Sequence, residues 1–174
     1  MAKSNDGDSL STFRSPLGWF AILGCNGTLK ALSFGHRSAE AAVRALDPGL
    51  VARARGCRWN EKLIRRLQAY ASGRADDFRD VATDPGPKTE FQSRVIRACR
   101  QIPCGETLTY GELAAAAGYP GAARAVGNCM AANHIPLIIP CHRVVGADRR
   151  PRGYSGPGGI KTKLRLLELE RSGR

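Results

Sequence analysis

Residues 138–145 place a cysteine and a histidine side by side between apolar residues, in the sequence I-I-P-C-H-R-V-V. A cysteine in apolar surroundings is usually an inert small hydrophobe, and it becomes a nucleophile only where its thiolate is favoured. His142 could act as the base for Cys141, and such a base needs a third group to hold its tautomer. Adjacent side chains on an extended segment point apart, so their contact requires a turn or a bridging water.

A carboxylate near the end of the chain is a candidate for that third group. The pattern predicts a last helix over residues 160–171, with Leu164, Leu166 and Leu167 on its apolar stripe. At about 100° per residue, Glu170 falls between Leu166 and Leu167 on that stripe. A buried carboxylate needs a partner, whereas fraying of the helix end would leave it in water. Both interpretations of Glu170 stay open on the pattern alone.

The elements that must position these residues fall into two predicted domains, 1–85 and 86–174, because A-T-D-P-G-P-K at residues 82–88 is typical of a linker. Asn26-Gly27 favours a type I′ hairpin in the first domain. We predict strands at 13–15, 19–24 and 28–34 and helices at 38–46 and 60–72. The first domain is therefore expected to be α/β with a small antiparallel sheet, and nothing in it suggests chemistry.

The second domain is predicted to be mainly helical. Thr89 with Gln92, and Thr109 with Glu112, fit the capping box that starts a helix. The first helix should place Phe91, Val95, Cys99 and Ile102 on one face and stop at Pro103, and the second should run to Gly118. A further helix in residues 122–133, after a short turn, completes the layout of a helix-turn-helix.

That further helix has an unusually plain exposed face. Its predicted apolar stripe consists of Ala122, Val126, Cys129 and Met130, and Arg124 lies nearly opposite. The rest of the exposed face is small, at residues 127 and 131, and would let the helix approach another molecule closely. An exposed arginine at a helix start is usually only solvated, unless the helix reads DNA.

Composition and charge narrow the functional classes. The 27 basic and 15 acidic residues give a formal net charge of +12, which fits a polyanionic partner but also serves solubility. Residues 1–16 lack an apolar core of signal-peptide length, and no later run approaches the roughly 18 apolar residues of a membrane span. We expect a soluble intracellular protein, cytoplasmic or, in a eukaryote, nuclear. The six cysteines should be reduced thiols, because a chain of this length does not need disulfide cross-links to be stable.

Several motifs in order resemble one family, the O6-alkylguanine-DNA alkyltransferases, also called methylated-DNA–protein-cysteine methyltransferases. The most specific is I-P-C-H-R-V at residues 139–144. The others are G-E-T-L-T-Y-G-E-L-A at 105–114, A-A-R-A-V-G at 122–127, G-Y-S-G at 153–156 and L-L-E-L-E at 166–170. The resemblance covers residues 91–170, and S-P-L-G at 15–18 extends it weakly. It implies a ribonuclease-H-like first domain and a winged-helix-like second domain.

The resemblance implies a chemical role for each candidate. Cys141 would accept an alkyl group from O6 of guanine, once and irreversibly, and the resemblance leaves O4 of thymine open as a second donor. His142 would polarise the thiol through water, and Glu170 would orient His142. Tyr110 would donate a hydrogen to the base, and Asn133 would brace the active-site segment. No cofactor is implied.

The resemblance also implies the partner, double-stranded DNA containing O6-alkylguanine, bound by a monomer with no obligate protein partner and no membrane. The target base would be flipped out of the stack, with Arg124 filling its place. The helix would lie in the minor groove, contrary to usual major-groove docking. The implied DNA-binding residues are Arg124, Ala123, Gly127, Asn128 and Ala131. The implied pocket residues are Met130, Pro136, Val144, Tyr154 and Ser155.

The chain departs from the family pattern in places. Some members bind zinc in the first domain; Cys25 could match one ligand, but Lys30 stands where a histidine would be needed, so we predict no metal. The alternatives are a non-catalytic alkyltransferase-like damage sensor, which would lack the cysteine now at 141; a transcription regulator; and a cysteine hydrolase, for which no oxyanion arrangement can be assigned.

Overall fold

The chain is described here from a computed structural model, which describes residues 7–173. It divides into two compact units. The N-terminal unit contains the chain up to Arg74 together with Asp80–Gly86, and the C-terminal unit contains Ala75–Arg79 and the chain from Pro87 onward. The sequence predicts one boundary, after residue 85, and does not predict that a segment before it packs in the C-terminal unit. The interpretation of residues 1–16 as lacking a signal peptide falls partly outside the described residues.

The N-terminal unit is built on a four-stranded sheet in the order β3-β2-β1-β4. Strands β1 to β3 pair antiparallel, and β4 pairs with β1 in parallel over two residues. The strands are β1 Ser9–Ser15, β2 Gly18–Cys25, β3 Thr28–His36 and β4 Arg55–Gly56, and the helices are α1 Ala39–Arg44, α2 Pro48–Val51 and α3 Glu61–Ala71. The α/β class is confirmed, although the sheet is mixed rather than purely antiparallel.

Local sequence explains how this sheet and its helices begin and turn. Asn26 and Gly27 both have positive φ, 48° and 79°, as a type I′ turn requires. Asn60 caps α3 by accepting a hydrogen bond from the Leu63 backbone. Leu63, Leu67 and Tyr70 are buried on one face of that helix.

The C-terminal unit carries four helices and a two-stranded parallel sheet, β5 paired with β6. The elements are α4 Glu90–Cys99, β5 Leu108–Thr109, α5 Tyr110–Ala116, α6 Ala123–Ala131, a 3-10 turn at Cys141–Arg143, β6 Val144–Val145 and α7 Ile160–Ser172. Both capping boxes, at Thr89 and Thr109, are present with reciprocal hydrogen bonds. The helical class of this unit, with α5 and α6 joined by a short turn, is confirmed.

The last helix differs from its prediction in phase. Its buried positions are Lys163, Leu166, Leu167 and Glu170, which follow the i, i+3, i+4, i+7 spacing of one helix face. Leu164 is 42% exposed, so its place on the apolar stripe was wrong, whereas Glu170 is 2% exposed. The helix end therefore does not leave Glu170 in water.

The apolar segment before Cys141 is buried but forms no strand. Leu137, Ile138 and Ile139 are nearly inaccessible, and Leu137 has a positive φ of 70°.

No helix in residues 7–173 has the length and apolarity that a membrane span requires. None of the six cysteines, all of which lie in the described residues, forms a disulfide, and Lys30 forms an ion pair with Asp8 at 2.6 Å.

Candidate active site

Cys141 opens the 3-10 turn and is held by an asparagine from the end of α6. Its Sγ accepts a hydrogen bond from Asn133 Nδ2 at 3.2 Å. The same nitrogen donates to Ile139 O at 2.8 Å, and Asn133 Oδ1 accepts from Ile135 N at 3.0 Å. Burial raises the pKa of the Cys141 thiol, and the Asn133 hydrogen bond opposes that rise. The resting thiol is therefore protonated at neutral pH, and its attack requires a base.

His142 is fully buried and contacts Glu170, with 2.7 Å between Nε2 and Oε1. Burial lowers the pKa of His142, although the Glu170 contact opposes the shift. The ring is therefore neutral at pH 7. An ionised carboxylate only accepts hydrogen bonds, so Nε2 carries the ring proton and Nδ1 carries the lone pair. Any proton from the thiol has to enter the ring at Nδ1.

Glu170 is shared between His142 and a buried arginine. Arg143 Nη2 donates to Glu170 Oε1 at 2.8 Å, and Arg143 Nε donates to Oε2 at 3.0 Å. Gly105 N also donates to Oε2, at 2.9 Å. Burial alone would raise the pKa of Glu170, but the contacts with His142 and Arg143 outweigh it and hold the pKa far below its ordinary value. Glu170 thus stays ionised.

Arg143 also ties two further segments to this network. Its Nη1 donates to Ile102 O at 2.7 Å and lies 3.4 Å from Asp77 Oδ1. Asp77 belongs to the short segment Ala75–Arg79, and its Oδ1 accepts from Cys104 N. The arginine therefore joins the turn, the loop after α4 and this segment through one guanidinium.

Cys141 lies in the wall of a cavity of about 310 Å³, a volume at the lower end of small-molecule sites. We call it the Cys141 cavity; it is lined by Tyr110, Gly127, Met130, Ala131, Cys141, Gly153, Tyr154 and Ser155. Burial raises the pKa of Tyr110, and proximity to Cys141 adds to the rise. The Tyr154 hydroxyl is buried and forms no hydrogen bond with the described residues. The cavity thus presents one nucleophile and two neutral phenols.

A buried lysine lies close to the hydroxyl group of Tyr110. Lys163 Nζ donates to Arg152 O at 2.8 Å and lies 3.4 Å from Gly153 O and 3.5 Å from Tyr110 Oη. Burial lowers the pKa of Lys163, while the thiols of Cys141 and Cys99 oppose the shift. The ammonium fixes the backbone that leads to Gly153 and places a positive charge near the phenol.

Helix α6 presents one face to the cavity and another to solvent. Gly127 and Ala131 line the cavity, and a Cβ at position 127 would lie 4.0 Å from the Tyr110 ring. Arg124 and Asn128 are exposed. The helix therefore connects the cavity wall directly to an exposed arginine.

Comparison with known proteins identifies the family. The protein-family model described as "6-O-methylguanine DNA methyltransferase, DNA binding domain" matches residues 90–172. The methylated-DNA–protein-cysteine methyltransferase of Mycobacterium tuberculosis is 40% identical over 163 residues, which cover 92% of this chain and 91% of that protein. This chain belongs to the methylated-DNA–protein-cysteine methyltransferase family.

A further relative and a solved structure extend the comparison. The methylated-DNA–protein-cysteine methyltransferase of Methanosarcina acetivorans is 38% identical over 166 residues, covering 92% of this chain and 96% of its own. The crystal structure of Mycobacterium tuberculosis OGT in complex with DNA matches with a TM-score of 0.78 and 36% identity, covering 95% of this chain and 94% of that one. The resemblance drawn from the motifs is confirmed.

For this methyltransferase family member, the structure brings most of the predicted site residues together. Five of them line the Cys141 cavity: Tyr110, Met130, Cys141, Tyr154 and Ser155. Gly127 and Ala131, which were predicted only for DNA binding, line the same cavity. His142, Glu170 and Asn133 lie behind Cys141. Val144 and Pro136 are not part of the described cavity wall. Val144 is fully buried in β6, and Pro136 bridges to Ile139. Arg124, Ala123 and Asn128 lie on α6, as predicted.

Sequence reasoning missed two charged residues of this site, Arg143 and Lys163. Arg143 lies inside the I-P-C-H-R-V motif, but only the cysteine and the histidine of that motif suggest chemistry. Because arginine is almost never fully buried without a partner, there was no reason in the sequence to expect Arg143 to be buried. Lys163 precedes Glu170 by seven residues, two helical turns on the same face. That spacing was the available signal for Lys163.

Proposed function

We propose that this protein repairs DNA by direct damage reversal, moving a methyl or other alkyl group from O6 of a flipped-out guanine to Cys141. The observation that carries the proposal is a buried thiol in a cavity wall, backed by a neutral histidine and an ionised carboxylate. Family membership supports it. The proposal extends to the same reaction at O4 of thymine.

The reaction follows from the protonation states. The thiol proton passes, through a bridging water, to the lone pair at His142 Nδ1, and the sulfur attacks the alkyl carbon. The carbon–oxygen bond breaks as the carbon–sulfur bond forms, and its electron pair stays on guanine. Tyr110 donates a hydrogen bond to the departing base, which stabilises the developing charge. The guanine anion then takes a proton from solvent and His142 returns its proton to solvent, so that overall a proton replaces the alkyl group on guanine.

The product fixes the stoichiometry of one event per molecule. A thioether lies outside the reversible thiol–disulfide chemistry that cells can reset, so Cys141 cannot be regenerated. No cofactor takes part in the proposed step. Asn133 acts as a positioning residue, since it holds both the sulfur and the backbone before it.

DNA binding is proposed to use α6. An unpaired base outside the stack is the only form that can reach a buried thiol, and the exposed Arg124 would fill the vacated place. Ala123, Gly127, Asn128 and Ala131 would let the helix approach the minor groove. Basic side chains would supply sequence-independent phosphate contacts. The ribonuclease-H-like and winged-helix-like descriptions, the monomeric state and the cytoplasmic location stay predictions.

The test measures the intact mass of the protein after incubation with a duplex that contains one O6-methylguanine. Wild type should gain one methyl group as guanine is restored, and Cys141→Ala should gain none. Cys129→Ala, which removes a half-buried thiol on α6 outside the cavity wall, is the matched control and should behave as wild type. If neither wild type nor Cys141→Ala gains mass and both prefer the damaged duplex, the protein is a damage sensor and the proposal is wrong.

A further inference from the structure

A loop beside the Cys141 cavity carries three arginines in four residues, at 149, 150 and 152. The loop begins at Gly146, directly after β6, and ends at Gly153, which lines the cavity. Strand β6 pairs with β5, and the residue after β5 is Tyr110, another cavity residue. Both ends of the loop are therefore anchored next to the cavity.

The loop backbone is held in place by its own contacts. Gly146 N donates to Arg150 O at 2.8 Å, Arg149 N donates to Gly146 O at 2.9 Å, and Arg150 N donates to Asp148 Oδ1 at 3.1 Å. Arg149 adopts a positive φ of 61°, which is uncommon for a residue other than glycine. The hydrogen bonds of Lys163 to the carbonyl oxygens at 152 and 153 fix the far end. These contacts therefore fix the backbone position of Arg150 before any ligand binds.

The three arginines differ in how their charges are balanced. Arg149 pairs with Glu112 at 2.5 Å, and Arg152 pairs with Asp148 at 2.8 Å. Arg150 is exposed and forms no ion pair with the residues that the structure describes. Two carboxylates thus meet three guanidinium groups, and the uncompensated charge of the loop belongs to Arg150.

We propose that Arg150 binds a backbone phosphate of the DNA strand that carries the flipped guanine. This inference rests on the proposed function. A base that enters the cavity brings the phosphates on either side of it to the cavity rim, where the loop lies. The planar guanidinium matches phosphate oxygens in a bidentate manner, and an arginine already paired with a carboxylate would have to break that pair first. Arg150 and Arg124 then have separate tasks, the phosphate and the vacated stack.

The test is single-turnover methyl transfer at increasing protein concentration, repeated over a range of salt concentrations. Loss of one phosphate contact lowers the slope of log affinity against log salt by about 0.9, equivalent to about eightfold weaker binding near 0.1 M salt. Arg150→Gln should show both changes in the half-saturating concentration while the limiting rate stays within about twofold. Arg150→Lys should keep the salt slope, because it keeps the charge.

Two controls separate contact from general charge. Arg44→Gln removes the same formal charge from the N-terminal unit, at an exposed position. The double variant Arg149→Gln/Glu112→Gln removes a neutral pair, and glutamine at 112 preserves the capping box. Both should bind like wild type. Equal weakening by Arg150→Gln and Arg44→Gln, or an unchanged salt slope in Arg150→Gln, would overturn the inference. Absence of methyl transfer in wild type would instead contradict the proposed function, and equilibrium binding to the same duplex would still test Arg150.

Discussion

Replacing Glu170 by glutamine changes one atom of a carboxylate that four donor groups share. Its Oε1 contacts His142 and Arg143, and its Oε2 accepts from Arg143 and from the Gly105 backbone. The glutamine amide group has two donors and must face one of these pairs of donors, whichever way it is turned. Arg143 would then be a buried cation with a single carboxylate, the one-third exposed Asp77.

The expected cost follows from that burial. Removing one partner of a buried ion pair destabilises a protein by roughly 3–5 kcal/mol. For a chain of this size, 1 kcal/mol corresponds to about 2–4 °C in melting temperature, so Glu170→Gln should melt roughly 6–20 °C lower than wild type. Arg143→Met should have a similar cost, because it removes the guanidinium that neutralises the buried charge of Glu170.

Urea unfolding of wild type, the two single variants and the double variant measures the coupling directly. The double variant should lose less stability than the sum of the singles, since neither charge is then left alone. A pH series adds a second condition. The folded pKa of Glu170 lies below its ordinary value of 4.5, so its stabilisation is fully present above that pH and is lost as the pH falls through the folded pKa. The stability gap between wild type and Glu170→Gln should therefore narrow below pH 4.5.

Additive costs in the cycle, or a Glu170→Gln loss below about 1 kcal/mol, would refute this account. Glu168→Gln is the matched control, because Glu168 is an exposed carboxylate on the same helix. It should change the free energy of unfolding by less than about 0.5 kcal/mol.

Three further predictions concern the cavity. Asn133→Ala removes the hydrogen bond that opposes the raised pKa of Cys141, so the pH profile of methyl transfer should move to higher pH; an unmoved profile would contradict this. Tyr110→Phe should slow single-turnover transfer by about 10²-fold with an unchanged melting temperature, and a rate within threefold of wild type would exclude Tyr110 as the donor. Lys163→Met frees the carbonyls of Arg152 and Gly153, and should slow transfer at least about tenfold while hydrogen exchange at Tyr154 speeds up. Neither change should occur in Lys161→Met, an exposed neighbour.

Local signals sufficed for much of the fold. Both capping boxes and the Asn26-Gly27 hairpin are short-range chemistry and occur where the sequence places them. The phase of α7 was harder, because its buried face contains a lysine and a glutamate and so does not look apolar. Leu164 was assigned to that face only because it is hydrophobic. Single exposed apolar side chains are common on protein surfaces, and composition does not separate them from the core.

Contacts between residues far apart in the chain were the other limit on predicting the structure from the sequence. The contact between Asp77 and Arg143 joins residues 66 positions apart, and nothing in the sequence near either residue signals it. Val144 shows the same limit, since it lies in β6, which pairs with Leu108, and is fully buried outside the wall of the Cys141 cavity. A motif supplies the identity of neighbours along the chain, whereas a cavity wall depends on which distant segments meet.

The shared carboxylate fits the proposed role of His142 as a base. A histidine paired with an isolated buried glutamate would be driven toward the imidazolium, since the negative charge raises the pKa of the ring. Here Arg143 neutralises Glu170 on its other side, and burial lowers the pKa of His142. The carboxylate can therefore orient the ring through Nε2 without protonating it, which leaves Nδ1 able to accept a proton from a thiol whose own pKa is raised. Arg143 thereby adds to the effect of burial and favours the neutral ring that the proposed reaction requires.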